Sequence, residues 1–385
     1  MSTKPVFYFT RMLPAYRIPI LERLNERLDG RLVVCHGQPP QGNPVLMKDI
    51  ESTFQRETLT NYWYKDTTVH LQFYRKVFKK HGPPSVVLAE ESPRSVMLPG
   101  LLRRARKVGA GRVLWGIFYS VHRPFSAKHP LQRYRIAMAN RVEACACYAK
   151  QSRTYLQPHV APEKLFVAQN TMDTNTLFAL RNTLEAEGKA AVRLRLGIPA
   201  DHDVFVFVAQ LVARKGTREL IEIFESYQRT KPATLIVIGG GPERENMETL
   251  VAKKQLQHVQ FLGAISDLHA SAPYIFAADI MLQPGYVGLV VNHAFALGVP
   301  VVTQEAPGNL PFHGPEVESI EHGSNGMIVA RNNMEAMQAA LKQVTHNQEV
   351  FSQAATTYAE TKLTMDNQVD GLIAAIAHAE QTKKS

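Results

Sequence analysis

The stretch Gln283–Thr303, Q-P-G-Y-V-G-L-V-V-N-H-A-F-A-L-G-V-P-V-V-T, decides how the rest of the chain is read. It follows a short apolar run, Asp279–Leu282, through a Pro-Gly turn. Gly288 then opens an almost wholly apolar run that reads as a helix of about three turns. Gly298 and Pro300 stop that helix, and Val299–Thr303 reads as the next strand. A helix this apolar is buried, so its N-terminus lies inside the molecule at the carboxyl edge of a sheet. Free backbone N–H groups there form a site for an anion such as a phosphate. One polar side chain, His293, interrupts the run. Helical side chains lean toward the N-terminus, so His293 reaches toward the same ligand.

Working outward, apolar runs alternate with helical patterns over the whole chain. In the first half the strands read as Pro5–Phe9, Arg31–Cys35, Ser85–Ala89, Arg112–Trp115, Ala144–Tyr148 and Leu165–Ala168. Helices between them include Ile18–Leu28, Val69–Lys80 and Pro130–Val142. The second half restarts with Val204–Ala209, Thr234–Ile238, Val259–Leu262, Asp279–Leu282 and Met327–Val329, and three helical stretches close it. Alternation at this spacing predicts α/β architecture with parallel sheets and right-handed crossovers. The expectation is two doubly wound, Rossmann-like domains facing a central cleft. Residues 1–175 form the first, 176–365 the second, and 366–385 a last helix that packs back toward the first.

Composition narrows the partners. The 385 residues carry a net charge of +10, and residues 1–190 hold 29 Lys and Arg against 14 Asp and Glu. The basic half therefore faces something anionic, and no nucleic-acid-reading module accompanies the charge. Leu98–Arg112, L-P-G-L-L-R-R-A-R-K-V-G-A-G-R, has a basic amphipathic pattern that suits an anionic membrane surface. A solvated helix face with an apolar underside explains it equally well. The N-terminus offers no signal peptide, and no apolar run approaches a membrane span. Cys35, Cys145 and Cys147 make no disulfide framework, which points to a reduced, cytoplasmic chain, peripheral on the inner face of the cell membrane at most.

Ligands of doubly wound sheets bind beyond the carboxyl ends of the strands, so the chemistry is sought there. Arg214-Lys215-Gly216 precedes a helix starting near Thr217. Cations at a helix N-terminus oppose the macrodipole unless an anion is shared, and Lys215 is placed to neutralise a leaving diphosphate. Gly239-Gly240-Gly241 lacks the dinucleotide spacing and reads as close backbone packing. Asp201-His202-Asp203 precedes a strand and reads as an exposed turn, so no metal is expected. In the first half, His122 follows the Trp115–Tyr119 strand end, and Glu90 and Glu91 end another strand, where they suit an acceptor hydroxyl.

Assembled in order, these blocks resemble the nucleotide-sugar half of family-4 retaining glycosyltransferases of GT-B fold. The resemblance rests on Val208–Gly216, L-I-V-I-G-G-G-P-E at Leu235–Glu243 and V-Q-F-L-G at Val259–Gly263. It continues through A-A-D-I-M-L-Q-P at Ala277–Pro284, Gly288–Val302 and E-S-I-E-H-G-S-N-G-M-I-V at Glu318–Val329. Pro14–Ile20 and Pro162–Asp173 resemble bacterial members as well. The resemblance implies a nucleotide diphosphate sugar donor held by Gln210, Arg214, Lys215, Gly263, Gly285, Tyr286, Val287, Gly288, Leu289, Val290 and His293. It implies catalysis by Lys215 with His122, and an acceptor side at Tyr16, Arg17, Glu90 and Glu91, without a cofactor. The acceptor is then a glycan or lipid-linked oligosaccharide of polysaccharide or O-antigen assembly.

This sequence departs from the family at two points. The family's two Glu residues, separated by seven others in the opening motif, are Gly285 and His293 here, and its Gly-Arg-Leu before the lysine is Ala209-Gln210-Leu211. Neither lost carboxylate contact requires a formal charge, and in the front-face mechanism proposed for such enzymes the donor phosphate takes the acceptor proton. The two-carboxylate logic of glycoside hydrolysis is then not required. Two other readings remain open: a nucleotide-sugar epimerase on the same fold, and a non-catalytic sugar-nucleotide or glycan-binding subunit.

Overall fold

The computed structural model describes residues 3–39, 51–64 and 69–383. It divides into two compact units. One comprises residues 1–120, 124–173 and 365–385, the other Val121–Arg123 and Thr174–Thr364.

The first unit is built on a seven-stranded parallel sheet. Its strands are β1 (Val6–Thr10), β2 (Leu32–His36), β3 (Gln55–Thr58), β6 (Val86–Glu90), β7 (Gly111–Gly116), β8 (Ala144–Cys147) and β9 (Leu165–Val167), in the order β3-β2-β1-β6-β7-β8-β9. The central strands are buried on both faces, which is why they read as unbroken apolar runs. Two hydrophobic clusters cover the faces. The terminal helix Met365–Thr382 supplies Val369, Leu372, Ala375, Ile376 and Ala379 to one of them. Gly111 makes that docking close, because a Cβ there would sit 2.4 Å from the Ala379 carbonyl oxygen.

One expectation fails in this unit. Val69–Lys80 is not one helix: Val69–Gln72 is a strand, β5, paired antiparallel with β4 (Asn61–Tyr64), and only Arg75–His81 is helical. The Val-His-Leu-Gln alternation satisfies the hairpin, whose ladder supplies hydrogen bonds a lone helical turn there would lack. The Leu98–Lys107 helix follows the second of its two readings, a solvated basic face over an apolar underside. Leu98, Leu101, Leu102 and Ala105 are buried in the core, leaving only the basic face exposed.

The second unit has a six-stranded parallel sheet: β10 (Asp203–Val208), β11 (Ala233–Ile238), β12 (Val259–Gly263), β13 (Ile280–Gln283), β14 (Val301–Gln304) and β15 (Gly326–Val329). Its order is β12-β11-β10-β13-β14-β15. The order reverses between β10 and β13, so the loops leaving these two strands diverge and open a crevice. Gly239 and Gly241 are packing glycines. A Cβ on Gly239 would stand 1.8 Å from the Ala209 carbonyl oxygen, and one on Gly241 2.4 Å from that of Leu211. Asp203 accepts hydrogen bonds from Tyr227 Oη at 2.6 Å and Lys231 Nζ at 2.8 Å, a structural role at a strand start. Among the described residues no helix is long and apolar enough to cross a membrane.

Candidate functional site

The segments leaving β10 and β13 meet at the switch point of the second unit. After β10 the chain makes a tight turn, Ala213–Lys215. Gly216, at φ 73° and ψ 36°, then turns it into the helix Thr217–Gln228. That left-handed conformation suits glycine. After β13, Gly285 lies directly against the turn: a Cβ there would meet the Lys215 carbonyl carbon at 2.1 Å and the Gly216 nitrogen at 2.4 Å. The two backbones are in contact, and the Tyr286 N–H donates to the Arg214 carbonyl at 2.9 Å.

This contact places two cations around one ring. Lys215 Nζ lies 4.5 Å from the Tyr286 ring centroid and donates to the Tyr286 carbonyl at 3.0 Å. The Arg214 guanidinium lies 4.6 Å from the same centroid. A cation over an aromatic face is attracted by the ring quadrupole, so Tyr286 offsets part of the repulsion between two adjacent positive charges. Burial pushes the Lys215 ammonium down to about 8, the neighbouring Arg214 adds to the fall, and Glu316 opposes it. A cation that pays for its charge in this way is relieved by an incoming anion.

The buried helix is shorter than its sequence suggests. It spans Val290–Ala296, with Gly288 and Leu289 still in the loop. The backbone N–H groups of Gly288, Leu289 and Val290 make no hydrogen bond among the described residues, as at an uncapped helix start. The loop is pinned from behind by His313. The Val287 N–H donates to His313 Nδ1 at 3.1 Å, so the ring proton sits on Nε2, which donates to the Gln304 carbonyl at 2.9 Å. Burial drives His313 down to about 4, which keeps the ring neutral and this tautomer fixed. Glu316, 5% exposed, brings a carboxylate under the loop, with its Oε2 4.0 Å from where a Gly288 Cβ would stand. Neither His313 nor Glu316 belongs to a motif recognisable in the sequence, and both were missed.

His293 lies one turn into the helix. Its Nδ1 is buried with no hydrogen-bond partner, and burial lowers the ring to about 4. It is a neutral imidazole holding an unused hydrogen-bonding atom. His293→Ala is expected to weaken nucleotide diphosphate binding about tenfold, the value of one buried hydrogen bond. The affinity of the wild-type protein should not titrate with this ring between pH 5 and 7. Isothermal titration across that range checks both statements.

The remaining donor-side candidates sit as follows. Gln210 and Arg214 are exposed beside the crevice. Gly263, at φ 76°, ends the edge strand β12, two strands from β10.

In the first unit the switch point lies between β1 and β6. A cavity opens there, lined in part by Thr10, Arg11, His70, Gln72 and Glu90. Glu90 accepts from Thr10 Oγ1 at 2.9 Å and the Arg11 N–H at 3.0 Å. Burial pushes its carboxyl up, but Arg11 and these hydrogen bonds outweigh that, and Glu90 titrates below the usual carboxylate range. His70 Nδ1 and Gln72 Oε1 are buried with no partner, two polar atoms available to a hydroxyl. Reading their segment as a helix hid both of them; the alternation along Val69–Gln72 was the available signal.

Glu91 is placed differently from the expectation. Its two oxygens accept from Arg135 Nε at 3.0 Å and the Phe118 N–H at 3.2 Å, and it is 9% exposed. It is a buried structural carboxylate. Arg17 is also 9% exposed, stacked 4.4 Å from the Trp115 ring centroid and bonded to Tyr148 Oη at 3.0 Å, while Tyr16 stands out at 41%. His122 is exposed in the turn Val121–Arg123.

The chain superposes on Anabaena HepE in complex with UDP, with a TM-score of 0.70 at 17% identity, covering 97% of this chain and all of that one. This is the GT-B fold. A glycosyltransferase from Rickettsia africae matches with a TM-score of 0.72 at 12% identity. Residues 189–361, the GT-B half that carries the crevice, match the family of glycosyl transferases group 1. The putative teichuronic acid biosynthesis glycosyltransferase TuaC of Bacillus subtilis is 30% identical over 165 residues, 42% of this chain and 38% of TuaC. A GDP-mannose-dependent phosphatidylinositol monomannoside mannosyltransferase of Mycobacterium tuberculosis is 25% identical over 279 residues, 66% of this chain and 65% of that enzyme. The chain thus spans less than two thirds of the length of these curated relatives.

Proposed function

We propose that this protein is a retaining glycosyltransferase that moves a sugar from a nucleotide diphosphate sugar to a hydroxyl of a glycan or lipid-linked acceptor. The observation that carries the reading is the anion crevice of the second unit. Arg214 and Lys215 meet at the Tyr286 ring there, two to four residues before the unbonded N–H groups of Gly288–Val290. Matched relatives named for teichuronic acid biosynthesis and for mannosyl transfer to phosphatidylinositol monomannoside support the substrate class.

In this reading the bond from the anomeric carbon to the diphosphate oxygen breaks, and a bond from the acceptor oxygen forms on the same face. The acceptor proton passes to the departing phosphate oxygen. The protein stabilises the charge growing on the diphosphate, with Lys215 and Arg214 as counter-charges and the loop N–H groups as fixed donors. His293 offers its unused ring nitrogen to a ribose hydroxyl, and Gly285 leaves the sugar to backbone groups. Gln210, Gly263, Tyr286, Val287 and Leu289 complete the donor side. Glu90 and the polar cavity beside it, with Tyr16, Arg17 and His122, serve the acceptor. In this reading the counter-charge comes from side chains and backbone N–H groups. The basic first unit holds the protein at an anionic cytoplasmic membrane face by charge, where lipid-linked acceptors are presented.

A thermal-shift panel of nucleotide sugars tests this. A true donor at about 100 times its dissociation constant adds about 2.7 kcal/mol, a rise of roughly 5–10 °C for a domain of this size. A panel with no response would sink the proposal. Incubating the best donor with acceptor and assigning the product anomer by NMR tests retention. Epimerised donor formed without acceptor would favour an epimerase, and tight donor binding with no turnover of any acceptor a binding subunit.

A further inference from the structure

The register of the β4–β5 hairpin gives it two unlike faces. Asn61, Trp63, His70 and Gln72 share one, and Tyr62, Tyr64, Val69 and Leu71 the other. His70 and Gln72 are 2% and 1% exposed, whereas Tyr62 and Tyr64 are 55% and 63% exposed. A half-solvated hairpin ordinarily turns its apolar face inward; this one turns two tyrosines outward and its polar residues inward. Phe73, 61% exposed, closes edge-on against Tyr62 at 5.5 Å. Val96, 60% exposed, is bonded through its N–H to the His70 carbonyl at 3.0 Å, so it adjoins the same hairpin. Single exposed apolar residues are ordinary; four on one hairpin and its neighbour form a patch.

The surroundings are basic. The helix that begins two residues after Phe73 exposes Arg75, Lys76, Lys79 and Lys80, the last of them ion-paired with Glu57. The Leu98–Lys107 helix packs beside it, with the Arg104 guanidinium 5.7 Å from the Phe78 ring centroid, and exposes Arg103, Arg104, Arg106 and Lys107. The only acidic residues between Phe73 and Lys107 are Glu90 and Glu91, and each is paired with an arginine.

We infer that the β4–β5 hairpin, with Tyr62, Tyr64 and Phe73 at its outer face, is the element that inserts into an anionic bilayer surface while the two basic helices hold the headgroups. Tyrosine favours the headgroup level because its ring is apolar and its hydroxyl wet. The Leu98–Lys107 helix cannot insert, since its leucines are spent in the core. A single-stranded nucleic acid would want aromatic faces laid out as stacking platforms, and Tyr62 and Phe73 instead close edge to face. The inference rests on the membrane part of the proposed function and adds an apolar contact to its charge attraction.

Flotation of the full chain with phosphatidylglycerol–phosphatidylcholine vesicles, at about 0.05 and 0.5 M salt, separates the two contributions. The wild type is expected to float at low salt and to keep a salt-resistant fraction. The Tyr62→Ser/Tyr64→Ser/Phe73→Ser variant should bind about tenfold more weakly and lose that fraction. Its circular-dichroism melt and its response to UDP, bound by the other unit, should stay as in the wild type. Trp63, in this hairpin, should be quenched by lipids brominated near the headgroup; the chain's other tryptophan, Trp115, is 1% exposed. If the triple variant floats like the wild type while Lys76→Glu/Lys79→Glu/Arg103→Glu/Arg106→Glu does not, charge alone acts and the hairpin inference is overturned. If neither variant changes flotation, or the wild type ignores vesicles and binds oligodeoxythymidine, the membrane reading itself is overturned with it. The glycosyltransferase proposal stands apart, on the nucleotide-sugar panel.

Discussion

Lys215→Ala is expected to lower kcat/KM for glycosyl transfer by about 10²–10³, the cost of removing one preorganised group that meets charge growing in the transition state. The site explains why the loss should be large. Lys215 is half-buried, its ammonium is oriented by the Tyr286 carbonyl, and it lies beside the Tyr286 ring. A flexible surface lysine must be ordered when the anion arrives; this one is already ordered. Nucleotide diphosphate affinity should fall as well, because the leaving group carries its charge before the reaction. Titration of UDP or another nucleoside diphosphate against both proteins measures this. Unchanged affinity in the variant would remove Lys215 from the site.

The lowered value of about 8 for Lys215 gives the prediction a pH signature. An ordinary lysine titrates near 10.4, so the folded protein discourages the charge. Between about pH 8 and 10 the unfolded chain binds more protons than the folded one, and this group's contribution to stability therefore rises with pH across that window. Binding an anion runs the other way. It restores the charge and takes up a proton above pH 8, so donor affinity should fall by up to about tenfold per pH unit there. Lys215→Arg keeps a cation that does not titrate in this range and should lose the pH dependence while retaining part of the affinity. Affinities measured from pH 7 to 9.5 for the three proteins decide it.

Much of this site is written along the chain. β10 and β13 are apolar runs closed by Gly, Pro and cationic residues, so the loops that carry Lys215 and Gly285 were placed at strand ends without coordinates. What local pattern does not contain is pairing. Val69, Phe73, Val77 and Phe78 are spaced well enough for a helix face, and only the ladder with Asn61–Tyr64 makes Val69–Gln72 a strand. That mistake hid His70, Gln72 and the outward tyrosines together. The Leu98–Lys107 helix shows the same limit, since an amphipathic pattern says which face is apolar but not what already covers it. His313 was invisible for a third reason: it fixes a loop 26 residues away through one backbone N–H, a contact with no sequence signature. That positions 285 and 293 carry no carboxylate is plain from the sequence, but the backbone contact that leaves no room for a side chain at 285 is not.

Gly285→Glu, which would place here the carboxylate that the family resemblance implies, is expected to damage this protein. The first atom of any side chain at 285 would lie 2.1 Å from the Lys215 carbonyl carbon and 2.5 Å from its oxygen, against an ordinary contact of 3.4 Å or more. These are backbone atoms, held by the Tyr286 N–H bond to Arg214 and by the left-handed turn at Gly216. They have no rotamer by which to yield. Gly285→Ala should therefore cost about 1–3 kcal/mol, as overpacking does, or roughly 3–10 °C of melting temperature for a domain of this size. The glutamate variant should cost at least as much. Either substitution pushes the Ala213–Lys215 turn away and breaks the Lys215–Tyr286 contact, so donor binding should fall alongside stability. The opposite outcome is informative: a Gly285→Glu protein with wild-type melting and affinity would mean that the turn moves freely and that room for the carboxylate exists. If the clash is real, the glycine and the turn act as a pair. Here Lys215 occupies its position because no side chain stands at 285, and a glutamate introduced there alone finds no room beside the turn.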